Sequence, residues 1–184
     1  MLQESLLKLL LNIEEFQSRL LICLLERLGE ISCVTEGREQ EQETNVPRLI
    51  LTAMRWLDKL VDDTGLVEKM QDILEVASDY HREEVIMALP EILPPSQHNS
   101  IATFLHQLLT DNRSLTPCIV DCLGNLSLST GMITTTQRSL LKNLSRFEFS
   151  SMPSVVDFLL SQCTKETIQD IVPLLRADLS LTPR

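Results

Sequence analysis

An all-α fold is what the sequence predicts, and three observations predict it. Apolar residues recur at helical spacing, as in Leu2, Leu6, Leu9, Leu10 and Ile13, then Leu20, Leu21, Leu24, Leu25 and Leu28. No stretch alternates apolar and polar residues for long enough to make a strand, and β-branched or aromatic clusters are missing. The third observation is a weak repeat: Leu66–Leu93, Ile101–Leu128 and Ser139–Cys163 each read as helix, short connection, helix, with starts about 35–38 residues apart. Short connections force neighbouring helices antiparallel, and one pair is too small to bury its own apolar face, so successive pairs must stack. A buried leucine contributes about 2 kcal/mol to such stacking. The expectation is an α-solenoid of HEAT- or armadillo-like antiparallel helix pairs, with residues 1–184 forming one segment of it.

The period places ten helices, at about 3–12, 14–30, 46–61, 65–76, 79–93, 98–110, 115–127, 134–146, 152–162 and 165–177. Pro47, Pro117 and Pro153 stand near first turns, where a missing N–H leaves no bond unmade. Asn45 and Thr116 read as N-caps for two of these helices. Between the second and third helices, at about 32–45, the run Thr35-Glu36-Gly37-Arg38-Glu39-Gln40-Glu41-Gln42-Glu43-Thr44 has no apolar period and reads as an acidic loop. Pro94-Pro95 stops the fifth helix. Pro90 lies inside that helix, where a proline costs about 3 kcal/mol, so the helix either kinks there or ends and restarts. Trp56 reads as a core residue beside Met54 and Leu60.

Composition narrows the function. Sixteen Lys+Arg against 26 Asp+Glu give a formal charge of −10, and the cations are scattered singly, which argues against strong nucleic-acid binding by this stretch alone. The longest apolar run, Leu20 to Leu25, is far short of the roughly 18 residues a membrane span needs. Five cysteines (Cys23, Cys33, Cys118, Cys122, Cys163) have no framework spacing, and Glu4 and Lys8 interrupt the N-terminus before any leader could form. A reducing intracellular compartment is expected.

Motifs for chemistry are missing. Cys118 and Cys122 share a helix face at i, i+4, but no CxxC or HxxxH pair supplies two further zinc ligands, and buried thiols packing as small hydrophobes are the expectation. His81, His98 and His106 have no ligand spacing, and surface or capping roles suit the first two. Gly29, Gly37, Gly65, Gly124 and Gly131 are too far apart for a phosphate loop. Glu83-Glu84 and Asp62-Asp63 are adjacent, so on a helix each pair points in two directions and cannot converge as acid and base. No catalytic residue, metal site or cofactor is assigned. A scaffold, a peptide-binding solenoid adaptor and, more remotely, a hydrolase without a recognisable motif are the readings left open.

Four ordered strings then carry a family resemblance. Asn45-Val46-Pro47-Arg48-Leu49-Ile50, followed by Arg55-Trp56-Leu57-Asp58 and Val61-Asp62, resembles a stretch of the Fanconi anaemia group D2 family. Leu89-Pro90-Glu91-Ile92-Leu93 with Ser96-Gln97-His98 is similar to that family's L-P-E-I-L-x-x-S-Q-H. Asn112, Ser114-Leu115-Thr116 and Pro117 fall where it carries N-x-S-L-T-x-P, with the proline displaced by one. Leu6-Leu7-Lys8-Leu9-Leu10-Leu11 resembles the string preceding these, so the likeness runs from Leu6 to about residue 170.

The resemblance implies an N-terminal piece of a long nuclear solenoid that acts in interstrand crosslink repair. It implies pairing with the group I paralogue, clamping of duplex DNA, and locking of the clamp by monoubiquitination. The acceptor lysine is expected outside this segment, so the role falls to none of Lys8, Lys59, Lys69, Lys142 or Lys165. A ubiquitin-binding CUE-like stretch of the family overlaps Asp72–Leu93, but Ala77-Ser78-Asp79 replaces Ala-Pro-Glu, and the role is not carried across.

Overall fold

The computed structural model describes residues 6–33, 45–55, 57, 60, 65–164 and 167–178. All regular structure among these residues is helical, with no strand. The acidic run 35–44, Trp56, Lys59, Asp62-Asp63 and Lys165 lie outside the described residues. Two compact units divide the chain, Met1–Gln97 and His98–Arg184.

The first unit holds α1 (Leu6–Leu11), α2 (Glu14–Ser32), α3 (Asn45–Arg55), α4 (Leu66–Val76) and α5 (Asp79–Ile92). Helix α2 packs on α1, α3 and α4, while α5 packs on α3 and α4. The core is the apolar stripe of each helix: Leu21, Leu25 and Leu28 of α2, Ile50 and Met54 of α3, Met70 and Leu74 of α4, Val85, Ile86 and Leu89 of α5. Contacts therefore skip one helix, α2 to α4 and α3 to α5, as they do when helical hairpins stack.

The second unit holds α6 (His98–Asp111), α7 (Thr116–Asn125), α8 (Thr130–Lys142), α9 (Met152–Ser161) and α10 (Ile168–Asp178), with short 3-10 turns at Leu144–Arg146 and Phe149–Ser151. The same skipping order recurs: α6 packs on α8, α7 on α9 and α8 on α10. Ile101, Leu105, Ile119, Leu123, Leu140 and Leu159 fill the core.

Several expectations are corrected. The first helices of the three repeats start at Leu66, His98 and Thr130, a step of 32 residues each time, rather than at Leu66, Ile101 and Ser139. The helix expected at 98–110 does begin at His98, so only the repeat boundary is late there; the first turn of α8 is polar, and the apolar period places that helix only from 134. In α8 the true start is fixed by Ser129, whose hydroxyl accepts the Met132 N–H at 3.4 Å. Its end comes at Lys142 because Asn143 leaves helical geometry at φ −105° and ψ 10°. Thr116 is not an N-cap: Leu115 holds that position, and the Thr116 hydroxyl is buried without a hydrogen-bond partner. Helix α5 runs through Pro90 to Ile92 without ending and restarting. Leu57 and Leu60, placed in the third helix by their period, are not helical.

Candidate interaction surfaces

Two arginines one heptad apart join α3 to α5. Arg48 donates through Nε to Glu84 Oε1 and through Nη2 to the Tyr80 hydroxyl at 2.6 Å, with its guanidinium 5.9 Å from the Tyr80 ring centre. Arg55 lies 3.4 Å from Glu91 and donates to the Met87 carbonyl at 3.4 Å. Each arginine thus meets residues 32 and 36 positions further along the chain. A constant offset on both helices requires α3 and α5 to run parallel. The hydrogen bond that Arg48 donates to Glu84, then the charge of that carboxylate, holds the Arg48 guanidinium above its ordinary pKa. Glu83, by contrast, faces solvent, so the adjacent carboxylates diverge as expected.

A polar joint closes α2 against the α4–α5 connection. The Ser78 N–H donates to the Ser32 carbonyl at 3.0 Å, and the Ser78 hydroxyl lies 3.0 Å from His81 Nδ1. His81 is thereby buried at the start of α5 rather than on the surface. Arg82 donates to the Leu74 and Glu75 carbonyls at 2.7 and 2.8 Å, satisfying the last turn of α4 where the helix dipole favours a cation.

The other histidines join α6 to α8 and to the turn that precedes α8. His98 is buried, and its Nδ1 accepts the Ser127 N–H at 2.8 Å, while Asn99 accepts the Ser129 N–H at 3.0 Å. His106 Nε2 lies 2.7 Å from the Thr136 hydroxyl. The same hydroxyl lies 2.9 Å from the Met132 carbonyl, to which it can donate while accepting from His106. Asn99 with Ser129 and His106 with Thr136 both span 30 residues, so α6 and α8 also run parallel. Burial pushes the His106 pKa below its ordinary value.

Cys118 and Cys122 are buried in α7, and the Cys122 thiol is pushed up to about 12 by burial and then by the neighbouring Cys118. Such a thiol stays protonated near neutral pH and is a poor nucleophile there. Among the described residues, no group of three or more His, Cys, Asp or Glu stands where a metal could be held, and no helix is long and apolar enough to cross a membrane.

Two surfaces remain outside the packing. At the start of the first unit, Leu6, Leu9, Ile13 and Phe16 are exposed, and Leu10, Phe16, Arg19, Leu20 and Cys23 line an open groove of about 300 Å³. The second surface is electrostatic. Residues 1–97 carry nine Lys+Arg against nineteen Asp+Glu, and residues 98–184 carry seven against seven, so the whole net charge of −10 belongs to the first unit. Arg138 and Lys142 of α8 and Arg146 of the next turn are exposed in the neutral unit. Scattered singly in sequence, they give no signal by composition; the missing acids around them do.

Comparison with known proteins accords with the motif resemblance. Residues 1–183 match the family described as Fanconi anaemia protein FancD2 nuclease. The Fanconi anemia group D2 protein of Gallus gallus is 34% identical over 179 residues, and the group D2 protein homologs of Rattus norvegicus and Mus musculus are each 32% identical over 178. Each comparison covers 97% of this chain and 12% of the relative, so the chain spans about an eighth of the length of these proteins. The chain belongs to the FancD2 family of Fanconi anaemia proteins.

Proposed function

We propose that this chain is a non-catalytic scaffold segment of a Fanconi anaemia D2-like protein that acts in the nucleus on DNA interstrand crosslinks. In this reading the protein pairs with its group I paralogue, the pair clamps duplex DNA, and the ubiquitin machinery locks the clamp through a lysine outside this segment. Family membership over 97% of the chain is the observation that carries the reading. Within each unit, the packing of alternate helices, α2 on α4 and α3 on α5 in the first and α6 on α8 and α7 on α9 in the second, supports it, because such repeats serve as contact surfaces. The burial of Cys118 and Cys122 supports a structural role for these two thiols. In the 72–93 stretch, Val85, Ile86, Leu89 and Leu93 are buried, which leaves those side chains unavailable to ubiquitin and favours leaving that role aside.

The test is deletion of residues 45–178 from the encoding gene in cells. The expected result is loss of co-purification with the group I paralogue and hypersensitivity to a DNA crosslinker. A deletion that still pairs and still restores resistance overturns the reading. Loss of some other partner with normal crosslinker resistance would mark a generic solenoid adaptor.

A further inference from the structure

We propose that α8 and the turn after it form a strip that contacts the phosphates of duplex nucleic acid through Arg138, Lys142 and Arg146. The identity of the polyanion rests on the clamp reading; the strip adds its place on this chain. No Asp or Glu occurs between Asp121 and Glu148, the stretch containing all three cations. Four arginines of the acidic first unit are neutralised by partners: Arg27 by Glu30, Arg48 by Glu84, Arg55 by Glu91 and Arg82 by Asp79. Arg138, Lys142 and Arg146 are exposed and have no ion-pair partner among the described residues. Helix α8 turns Thr136, Gln137 and Leu140 inward, which leaves Arg138 and Lys142 on its outer side, about 6 Å apart along the axis.

The polar character of the strip selects the partner class. A protein interface needs an apolar or aromatic centre; here a single large hydrophobic residue, Phe149, is exposed beyond the Arg146 end of the strip, and none is exposed from there back to Met87. Phosphate contacts need cations and small polar side chains with no apolar centre. Three such contacts release about three counterions, so log K should fall with log salt at a slope of about −2.7. The strongly negative first unit keeps the binding weak, and it is visible at low salt.

The experiment is fluorescence anisotropy of a labelled duplex DNA titrated with this chain, at salt from about 20 mM upward. The test variant is Arg138→Gln/Lys142→Gln/Arg146→Gln, which keeps the side-chain stems, with Arg27→Gln as the control and circular dichroism confirming helix content. Binding with the expected slope, weakened at least about tenfold in the triple variant and within about twofold in the control, supports the strip. Equal binding by the triple variant and the parent overturns it, as does no binding by the parent at the lowest salt. Tighter binding of poly-glutamate than of duplex through the same three residues also overturns it, in favour of an acidic protein surface. The pairing and crosslinker assays decide the repair reading independently, so either can fail without the other.

Discussion

Arg48 of α3 meets Glu84 of α5, and seven residues further along both helices Arg55 meets Glu91. One offset shared by two pairs fixes both the direction and the register of the helices, which single contacts cannot do. A slip of one helical turn in either direction would cost each arginine one of the two partners it meets. Each pair has one well-exposed partner, Arg48 in the first and Glu91 in the second, so solvent screens it and its role is to select register more than to supply stability.

A charge-reversal series tests this register. Arg48→Glu places like charges against Glu84 and should lower the thermal midpoint. Glu84→Arg alone should do the same, since it faces Arg48. The double reversal should recover much of the loss, because the ion pair is rebuilt with opposite polarity. Additive losses in the double variant would show that the two side chains do not interact in solution.

At Ser78 the backbone already has the shape a proline requires. Its φ is −64°, and Ala77 before it is extended at φ −68° and ψ 150°, so proline would fit without strain. The substitution Ser78→Pro would still remove two bonds, the N–H to the Ser32 carbonyl and the hydroxyl contact with His81. We expect it to destabilise the chain by about 1–3 kcal/mol, and Ser78→Ala by about 1 kcal/mol, in urea unfolding. A neutral Ser78→Pro would mean that the joint of α2 with α5 is held by apolar packing alone.

Thr116 shows where the sequence misleads. Threonine before proline at a helix start has the look of an N-cap, and capping threonines lose about 1 kcal/mol or more on replacement by an apolar residue. Here the cap is displaced onto Leu115, and the Thr116 hydroxyl is buried with no partner. Thr116→Val should therefore be neutral or stabilise by up to about 1–2 kcal/mol, because it removes an unsatisfied polar atom at nearly constant shape. Measured destabilisation would restore the capping role.

The apolar period is enough to place the helices, since Leu, Ile and Val stripes are what burial selects. It misses the polar first turn of α8, which is set by the Ser129 cap and by the Ser129 N–H reaching Asn99 across thirty residues of sequence rather than by local hydrophobicity. The cationic strip is hidden for a similar reason. A total of −10 averages over both units, whereas an interface responds to the local field, and only the domain division separates the acidic half from the neutral one.

His106 gives a pH signature with a definite sign. Burial lowers its pKa below 6.5, so the native state resists protonation while the unfolded chain accepts a proton near 6.5. Above that pH both states are neutral, and this histidine adds no pH dependence. As pH falls through 6.5 the unfolded state binds the proton first and stability declines, down to the native pKa. His106→Gln retains an N–H donor for Thr136 and removes the titration. Urea midpoints measured from about pH 7.5 to about pH 5.5 should therefore fall more steeply for the parent than for the variant, because the other histidines and the carboxylates are common to both. Parallel profiles would show that the hydrogen bond to Thr136 opens to water and that the ring titrates alike in both states.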